Sequence, residues 1–263
     1  MHKPKKGESP FLFCEFRKKG EEFMRKFALI TGASGGIGRQ TALTLAQQGW
    51  SLYLHYHSNE QAAKKLLEEL VQYDGEFIPV KADLTAANGA EVLLSQIFQV
   101  DAVIYASGRP LYGLFQDIMD QEMDEMWNLH VKSPMKILQG LLSKLLNSSI
   151  GSSVLVSSIW GQTGAACEVL YSTVKGAQIA LVKSLSKELA RNNIRVNAVA
   201  PGAVNTDMMS SFSEEELSLI ADEIPMGRMA EPIEVAQTIE FLLSEKASYI
   251  TGQVISVNGG WYT

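Results

Sequence analysis

From Met24 onward the chain repeats one pattern, an apolar run of strand length followed by a stretch whose apolar residues recur at helical spacing. Strands are expected at 27–31, 51–56, 77–82, 101–106, 152–157, 195–200 and 253–257. Helices are expected between them at 36–48, 61–73, 90–98 and 122–146, the last with a local irregularity at Pro134. In the first helix Ile37, Ala42 and Leu45 point inward, and Gly49 is a natural stop. Strands separated by helices pair in parallel. The chain is therefore expected to be an α/β protein: a single-domain, Rossmann-type, doubly wound parallel sheet of about seven strands with helices on both faces. Its 263 residues, 46% of them apolar, suffice for one full-sized core, and neither an internal repeat nor an interdomain linker interrupts them.

Composition narrows the function classes. A net charge of −6 with no basic patch argues against nucleic acid as a partner. The longest apolar runs fall far below the roughly 20 residues that cross a bilayer. Two cysteines, Cys14 and Cys167, make neither a disulfide framework nor a metal-ligand cluster, and a cytoplasmic protein without a metal site is expected. Residues 1–23 differ in character: charged, aperiodic segments flank a short apolar patch from Phe11 to Phe16. They read as a leader or disordered arm. Codons for Lys18-Lys19-Gly20-Glu21-Glu22 are purine-rich, as a bacterial ribosome-binding site is, so Met24 is the expected native start.

The join between the first strand and the first helix reads Thr31-Gly32-Ala33-Ser34-Gly35-Gly36-Ile37-Gly38. Glycines there permit positive φ and let backbone N–H groups approach an anion at a helix N-terminus. A dinucleotide pyrophosphate is the expected occupant, held at Gly32, Ser34, Gly36, Ile37 and Gly38, although the spacing is Gly-x-x-x-Gly-x-Gly. A carboxylate about 20 residues on would hold the ribose hydroxyls of NAD. Here the second strand ends in His55-Tyr56-His57-Ser58-Asn59, with no acid before Glu60. That leaves room for a 2′-phosphate and points to NADP(H), with His57 and Ser58 as its contacts or as plain loop residues. Asp83-Leu84, after the third strand, either meets an adenine or caps a helix.

Tyr171 and Lys175 are four residues apart and share one face of a helix. A neighbouring ammonium favours a phenolate, so the phenol is expected to become more acidic and to serve as a proton donor. Ser158, just past the fifth strand, brings a hydroxyl toward the same spot. Together they suit a carbonyl that is held, polarised and protonated.

Thr31 to Gly38, Asp83-Leu84, Ser158, Tyr171, Lys175 and Pro201-Gly202 together resemble the short-chain dehydrogenase/reductase family over residues 24–263. The likeness extends to the 3-oxoacyl-acyl-carrier-protein reductases through Asn197-Ala198-Val199-Ala200-Pro201-Gly202, Asn205-Thr206-Asp207-Met208, Tyr249-Ile250-Thr251-Gly252-Gln253 and Asn258-Gly259-Gly260. The resemblance implies NADPH-dependent reduction of a ketone to a secondary alcohol, with Asn128, Ser158, Tyr171 and Lys175 as catalytic tetrad. Ser158 would hold the ketone, Tyr171 protonate it, Lys175 also grip the nicotinamide ribose, and Asn128 hold a proton-supplying water. The resemblance further implies cofactor contacts at Ala106, Gly108, Pro201, Gly202, Val204 and Thr206. Two departures stand out: Tyr105-Ala106-Ser107-Gly108 replaces the usual Asn-Asn-Ala-Gly, and Gly35 stands where many NADP-preferring members carry a basic residue. These features also resemble the 5-aminopentanone reductases of elongation factor P, so acyl carrier protein and elongation factor P are both candidate partners. A non-catalytic NADP-binding regulatory protein is the rival from another class.

Residues 206–231 read as a substrate lid, opened by the capping box Ser213-x-x-Glu216 and carrying Met208, Met209, Phe212 and Met226 as an apolar surface. Cys167 and Glu168 fall at the pocket rim, where Glu168 either attracts an amine-bearing substrate or is an ordinary solvated charge. Helices 122–146 and 172–191 carry apolar residues on more than one face, among them Leu181, Val182 and Leu185. The family resemblance implies a homotetramer, with Trp261-Tyr262 at a second interface.

Overall fold

The computed structural model describes residues 25–210 and 212–263; the expectations for residues 1–23, Cys14 and Met24 fall outside the described residues. Strand β1 (Phe27–Thr31) leads through the glycine loop into α1 (Gly36–Gln47). Helix α1 ends where Gly49 takes φ 80°, and Trp50 N–H closes the turn on Leu45 O at 3.2 Å. Next come β2 (Ser51–Tyr56), α2 (Glu60–Leu70) and β3 (Phe77–Lys81). Asn59 caps α2 by accepting from Ala62 N–H at 3.0 Å. Helix α3 (Gly89–Leu94) is shorter than the 90–98 expected. Its exit tightens into i→i+3 bonds, and the Ser95 hydroxyl donates to Val92 O at 2.8 Å.

After β4 (Ala102–Tyr105), the stretch expected as one long helix divides into α4 (Asp120–Trp127), a π-turn at Asn128–Lys132 and α5 (Ser133–Leu146). Pro134 explains the division. Ser133 N–H bonds Asn128 O, one residue beyond α register, and Pro134 has no N–H for the carbonyls that follow. Two distant side chains satisfy them: the buried Tyr105 hydroxyl donates to Leu129 O, and Gln178 Nε2 donates to His130 O at 2.8 Å. Tyr105 is the first residue of the departing family motif. It braces β4 against the helix, a sheet contact formed through a phenol.

The chain continues through β5 (Ser152–Val156), the short α6 (Trp160–Thr163), the 21-residue α7 (Val169–Leu189), β6 (Arg195–Pro201), α8 (Glu214–Glu223), α9 (Pro232–Leu243) and β7 (Val254–Val257). All pairings are parallel, in the order β3-β2-β1-β4-β5-β6-β7. Successive strand residues feed opposite cores, as the two-residue period requires. Leu29, Val103, Leu155 and Val196 pack toward α3, α5 and α7, while Ala28, Ile30, Ile104 and Val199 pack toward α1, α2 and α9. The order reverses between β1 and β4, so the carboxyl ends of those strands open a crevice. Among the described residues no helix is long and apolar enough to cross a membrane.

Removing the Tyr105 hydroxyl leaves the Leu129 carbonyl buried without its donor. Tyr105→Phe is expected to lower unfolding stability by about 1–3 kcal/mol, the usual penalty for such a group. Urea denaturation reads it; a midpoint equal to that of the unaltered protein contradicts the brace.

Candidate active site

Three loop ends converge on the crevice. The glycine loop follows β1, Ala106–Gly108 follows β4, and Ser158 follows β5. Thr31 Oγ1 accepts from the N–H groups of Ala106 and Ser107, each at 3.1 Å, and so ties the β4 loop to β1. His55, which sequence reasoning passed over, clamps the glycine loop from behind. Its Nδ1 accepts from Gly32 N–H at 3.1 Å, and its Nε2 lies 3.1 Å from Ala82 O. Burial pushes His55 down to about 4, so the ring is neutral at physiological pH and takes one proton-donating and one proton-accepting role. Gly32 sits at φ 68°, where a side chain strains the backbone, and a Cβ on Gly38 would lie 2.2 Å from Gly32 O. A Cβ on Gly36 would meet Thr206 Cγ2 at 2.4 Å. The loop is a backbone-walled cradle at the start of α1, and its N–H groups fit a pyrophosphate.

The crevice has a volume of about 470 Å³, the size of a ligand cleft. Gly32, Gly36, Ile37, Gly38, Ala106, Gly108, Ser158, Tyr171, Lys175, Pro201, Gly202, Val204 and Thr206 line it, all named from sequence. The remaining candidates lie elsewhere. Ser34 is half-buried in the loop without lining the cleft, and His57 and Ser58 are exposed past β2. His57 Nε2 sits 3.6 Å from Asp83 Oδ2. Asp83 Oδ1 accepts from Thr85 N–H and hydroxyl at 2.9 and 2.6 Å, closing a turn rather than capping a helix, since α3 starts only at Gly89, while the Leu84 side chain is buried in the core. Asn128 does not line the cleft: its side chain donates to Thr85 O at 3.0 Å.

Helix α7 brings Tyr171 and Lys175 to the floor of the cleft, both buried. Lys175 Nζ lies 5.5 Å from the centre of the Tyr171 ring and donates to Val156 O at 2.8 Å, with Gln178 Oε1 at 3.4 Å. Ser158 stands beside the Tyr171 phenol, and its Oγ accepts from Trp160 N–H at 3.2 Å. The expected acid shift of the phenol is corrected here. Burial raises Tyr171 above the ordinary phenol range, only partly offset by the neighbouring Ser158 hydroxyl, and burial also drives Lys175 down to about 7. Desolvation disfavours both charged forms, and it outweighs a cation aimed at a backbone carbonyl rather than at the phenol oxygen. A phenol held protonated at neutral pH is nonetheless ready to donate.

Glu168 is 8% exposed and at the cleft wall, not an ordinary solvated charge. Burial lifts it to about 7, the nearby Trp160 side chain works against that rise, and no cation offsets it. Cys167 before it takes φ 60°, and its carbonyl accepts from Gly113 N–H at 2.9 Å. Met208, Met209 and Phe212 line the mouth, where Phe212 stacks edge-on against Tyr112 at 5.9 Å. Met226 does not line this cleft. It is anchored outside it, with its N–H bonded to Gly259 O at 3.2 Å. Trp261 lines the cleft and stacks on Trp160 of its own chain at 5.3 Å, and Tyr262 is exposed.

Gly38→Ala forces a methyl into the Gly32 carbonyl and is expected to lower Tm by on the order of 5 °C, as overpacking of a domain this size does. Gly36→Ala meets the Thr206 side chain, its Cγ2 and Cβ, rather than a backbone carbonyl and is expected to perturb less. Thermal melts compare the two, and an unaltered melt for Gly38→Ala contradicts the close approach.

A family model described as enoyl-(acyl carrier protein) reductase matches residues 32–262. The chain is 54% identical over 241 residues to the uncharacterised oxidoreductase YmfI of Bacillus subtilis, covering 91% of this chain and all of that one. It is 35% identical over 245 residues to the 3-oxoacyl-[acyl-carrier-protein] reductase FabG of Staphylococcus epidermidis, covering 91% of this chain and all of that one. Among solved structures, the angucycline C-6 ketoreductase LanV with bound NADP superposes with TM-score 0.84 at 29% identity, over 90% of this chain and 95% of that one. YwfH, an NADPH-dependent reductase of bacilysin biosynthesis, superposes with TM-score 0.85 at 26% identity, over 91% and 99%. With its parallel sheet, glycine cradle and serine–tyrosine–lysine floor, the chain belongs to the short-chain dehydrogenase/reductase family of oxidoreductases.

Proposed function

We propose that this protein reduces a ketone to a secondary alcohol with NADPH. The observation that carries the reading is the meeting of Ser158, Tyr171 and Lys175 on the floor of a cleft continuous with the glycine cradle. The nicotinamide, when bound, supplies the hydride. Ser158 donates a hydrogen bond to the ketone oxygen, and Tyr171 gives its proton to that oxygen as negative charge gathers there. Lys175 stands beside the phenol and balances its charge once the proton has left. The Ser158–Tyr171 pair speaks against a purely regulatory role. For the cofactor, the absence of a carboxylate at the end of β2 and the exposed His57 favour the 2′-phosphate form.

Two substrates fit the family: a 3-oxoacyl group on acyl carrier protein, as the name of the staphylococcal relative suggests, and the 5-aminopentanone modification of elongation factor P. Glu168 favours the second. A carboxylate in the cleft wall without a partner cation, flanked by the rings of Tyr112, Trp160 and Trp261, suits an ammonium group. An acyl thioester offers no such charge. The segment 206–231 is proposed as the lid over either substrate. The exposed apolar residues Met123, Trp127 and Met135 on α4 and α5 support the homotetramer.

Tyr171→Phe is expected to lower kcat by about 10²- to 10⁴-fold while NADPH still binds, as removal of a positioned acid does. NADPH oxidation with acetoacetyl thioester and with the modified elongation factor measures it, and undiminished turnover of both refutes the assignment. Glu168→Gln is expected to raise KM for the aminoketone roughly tenfold or more, the worth of a hydrogen bond to a charged group, with little change for the thioester. Glu168 ionises as pH rises through about 7, so aminoketone KM falls over that interval and thioester KM does not. Equal responses of the two substrates exclude the ammonium contact.

A further inference from the structure

The segment from Asp207 to Gly227, which carries α8, contains six carboxylates, Asp207, Glu214, Glu215, Glu216, Asp222 and Glu223, and no lysine, arginine or histidine. The other 23 acidic residues of the chain are matched by its 23 lysines and arginines, so this one segment accounts for the formal charge of −6. All six are exposed, and none has an ion-pair partner among the described residues. Helix stability explains only half of them. Glu214, Glu215 and Glu216 sit in the first turn, where the helix dipole favours negative charge, and Glu216 closes the capping box. Asp222 and Glu223 sit in the last turn, where the dipole disfavours it, and no cation stands four residues earlier to offset them. The acidic surface continues into the cleft. Asp207 and Glu223 line its mouth, and Ile220 lines it one turn before Glu223 on the same face of α8. Glu168, only 8% exposed, stands in a cleft wall whose one lining cation is the buried Lys175. A carboxylate buried that far without a cation of its own is disfavoured until a cationic ligand reaches it.

We propose that α8 and Asp207 form a docking surface for a basic segment of a protein that carries the ketone on one of its side chains. The segment's cations lie along the acidic mouth, and the ketone-bearing arm passes Glu168 to reach Tyr171. Leu219, 65% exposed, stands between Glu215 and Asp222 on one face of α8 and gives that face an apolar contact among its charges. A surface of this sign speeds encounter with a cationic partner and turns an anionic one away. An acyl group brought on a phosphodiester-linked carrier arm meets repulsion at the same mouth. The inference rests on the reading that the cleft reduces a ketone, and it adds what kind of molecule delivers that ketone.

Two synthetic peptides of equal length serve as probes. Each bears one Nε-levulinyl-lysine, a ketone on a lysine arm, flanked by lysines in the first peptide and by glutamates in the second. Calorimetric titration of the full chain loaded with NADP⁺ reads Kd for each. The lysine-flanked peptide is expected to bind at least about tenfold tighter in about 0.1 M NaCl, and the gap to close in about 1 M NaCl, where charges are screened within about 3 Å. Glu215→Lys combined with Asp222→Lys reverses two charges outside the cleft and is expected to weaken the lysine-flanked peptide about tenfold. The same reversal at Glu68 of α2 and Glu245 after α9, both exposed and apart from the cleft, is expected to leave it within about twofold. Equal affinities for the two peptides, or an α8 variant no weaker than that control, overturn the proposal. The peptide comparison uses the unaltered protein and stands whether or not a variant folds. NADPH oxidation with the lysine-flanked peptide and with acetoacetyl thioester is followed alongside. If either ketone is reduced while the two peptides bind equally, only the docking surface fails. If neither is reduced, the ketone reading fails and takes this inference with it.

Discussion

The hydrogen bond from Lys175 Nζ to the carbonyl of Val156 fixes the geometry on which the rest of the site depends. A buried ammonium is tolerated only where acceptors surround it, and this carbonyl is the last of β5. The bond therefore anchors α7 at the carboxyl edge of the sheet. One helical turn earlier, Tyr171 then stands over Ser158, which follows the same strand. The hydroxyl of Ser157 adds a second tie, donating to the Lys175 carbonyl at 3.0 Å.

Dryness gives these groups their character. Burial raises the phenol and lowers the amine, so the phenol stays protonated beside a lysine that titrates near neutrality. The same effect lifts Glu168, which lacks a compensating cation. A site that holds a carboxyl and an amine in such tension responds strongly to a charged ligand, because a ligand charge replaces the solvation that burial removed.

Pro134 organises the opposite wall. The N–H it withholds, together with the one-residue register shift of the π-turn, leaves the carbonyls of Leu129 and His130 to Tyr105 and Gln178, one from the sheet and one from α7. The irregular turn thereby joins β4, α5 and α7 behind the cleft and turns the ring of His130 against Tyr171. The departure of Tyr105 from the family motif belongs to this arrangement: a phenol reaches a carbonyl across the sheet–helix gap.

Alternation of strands and helices, the glycine loop, and the spacing of Ser158, Tyr171 and Lys175 were legible in the residues alone, because each depends on local periodicity or on groups one helical turn apart. Parallel pairing then follows from the connections, and the cleft at the carboxyl edge follows from pairing. His55, Gln178 and His130 were not legible in this way. Their partners are distant in sequence, as with His55 and Ala82 or Gln178 and His130. Asn128 shows the same limit from the other side: the family resemblance marks it for the cleft, and a carbonyl 43 positions away takes its side chain instead. The protonation states were also decided by folding, since desolvation depends on everything packed around a group and the order of residues along the chain does not contain it.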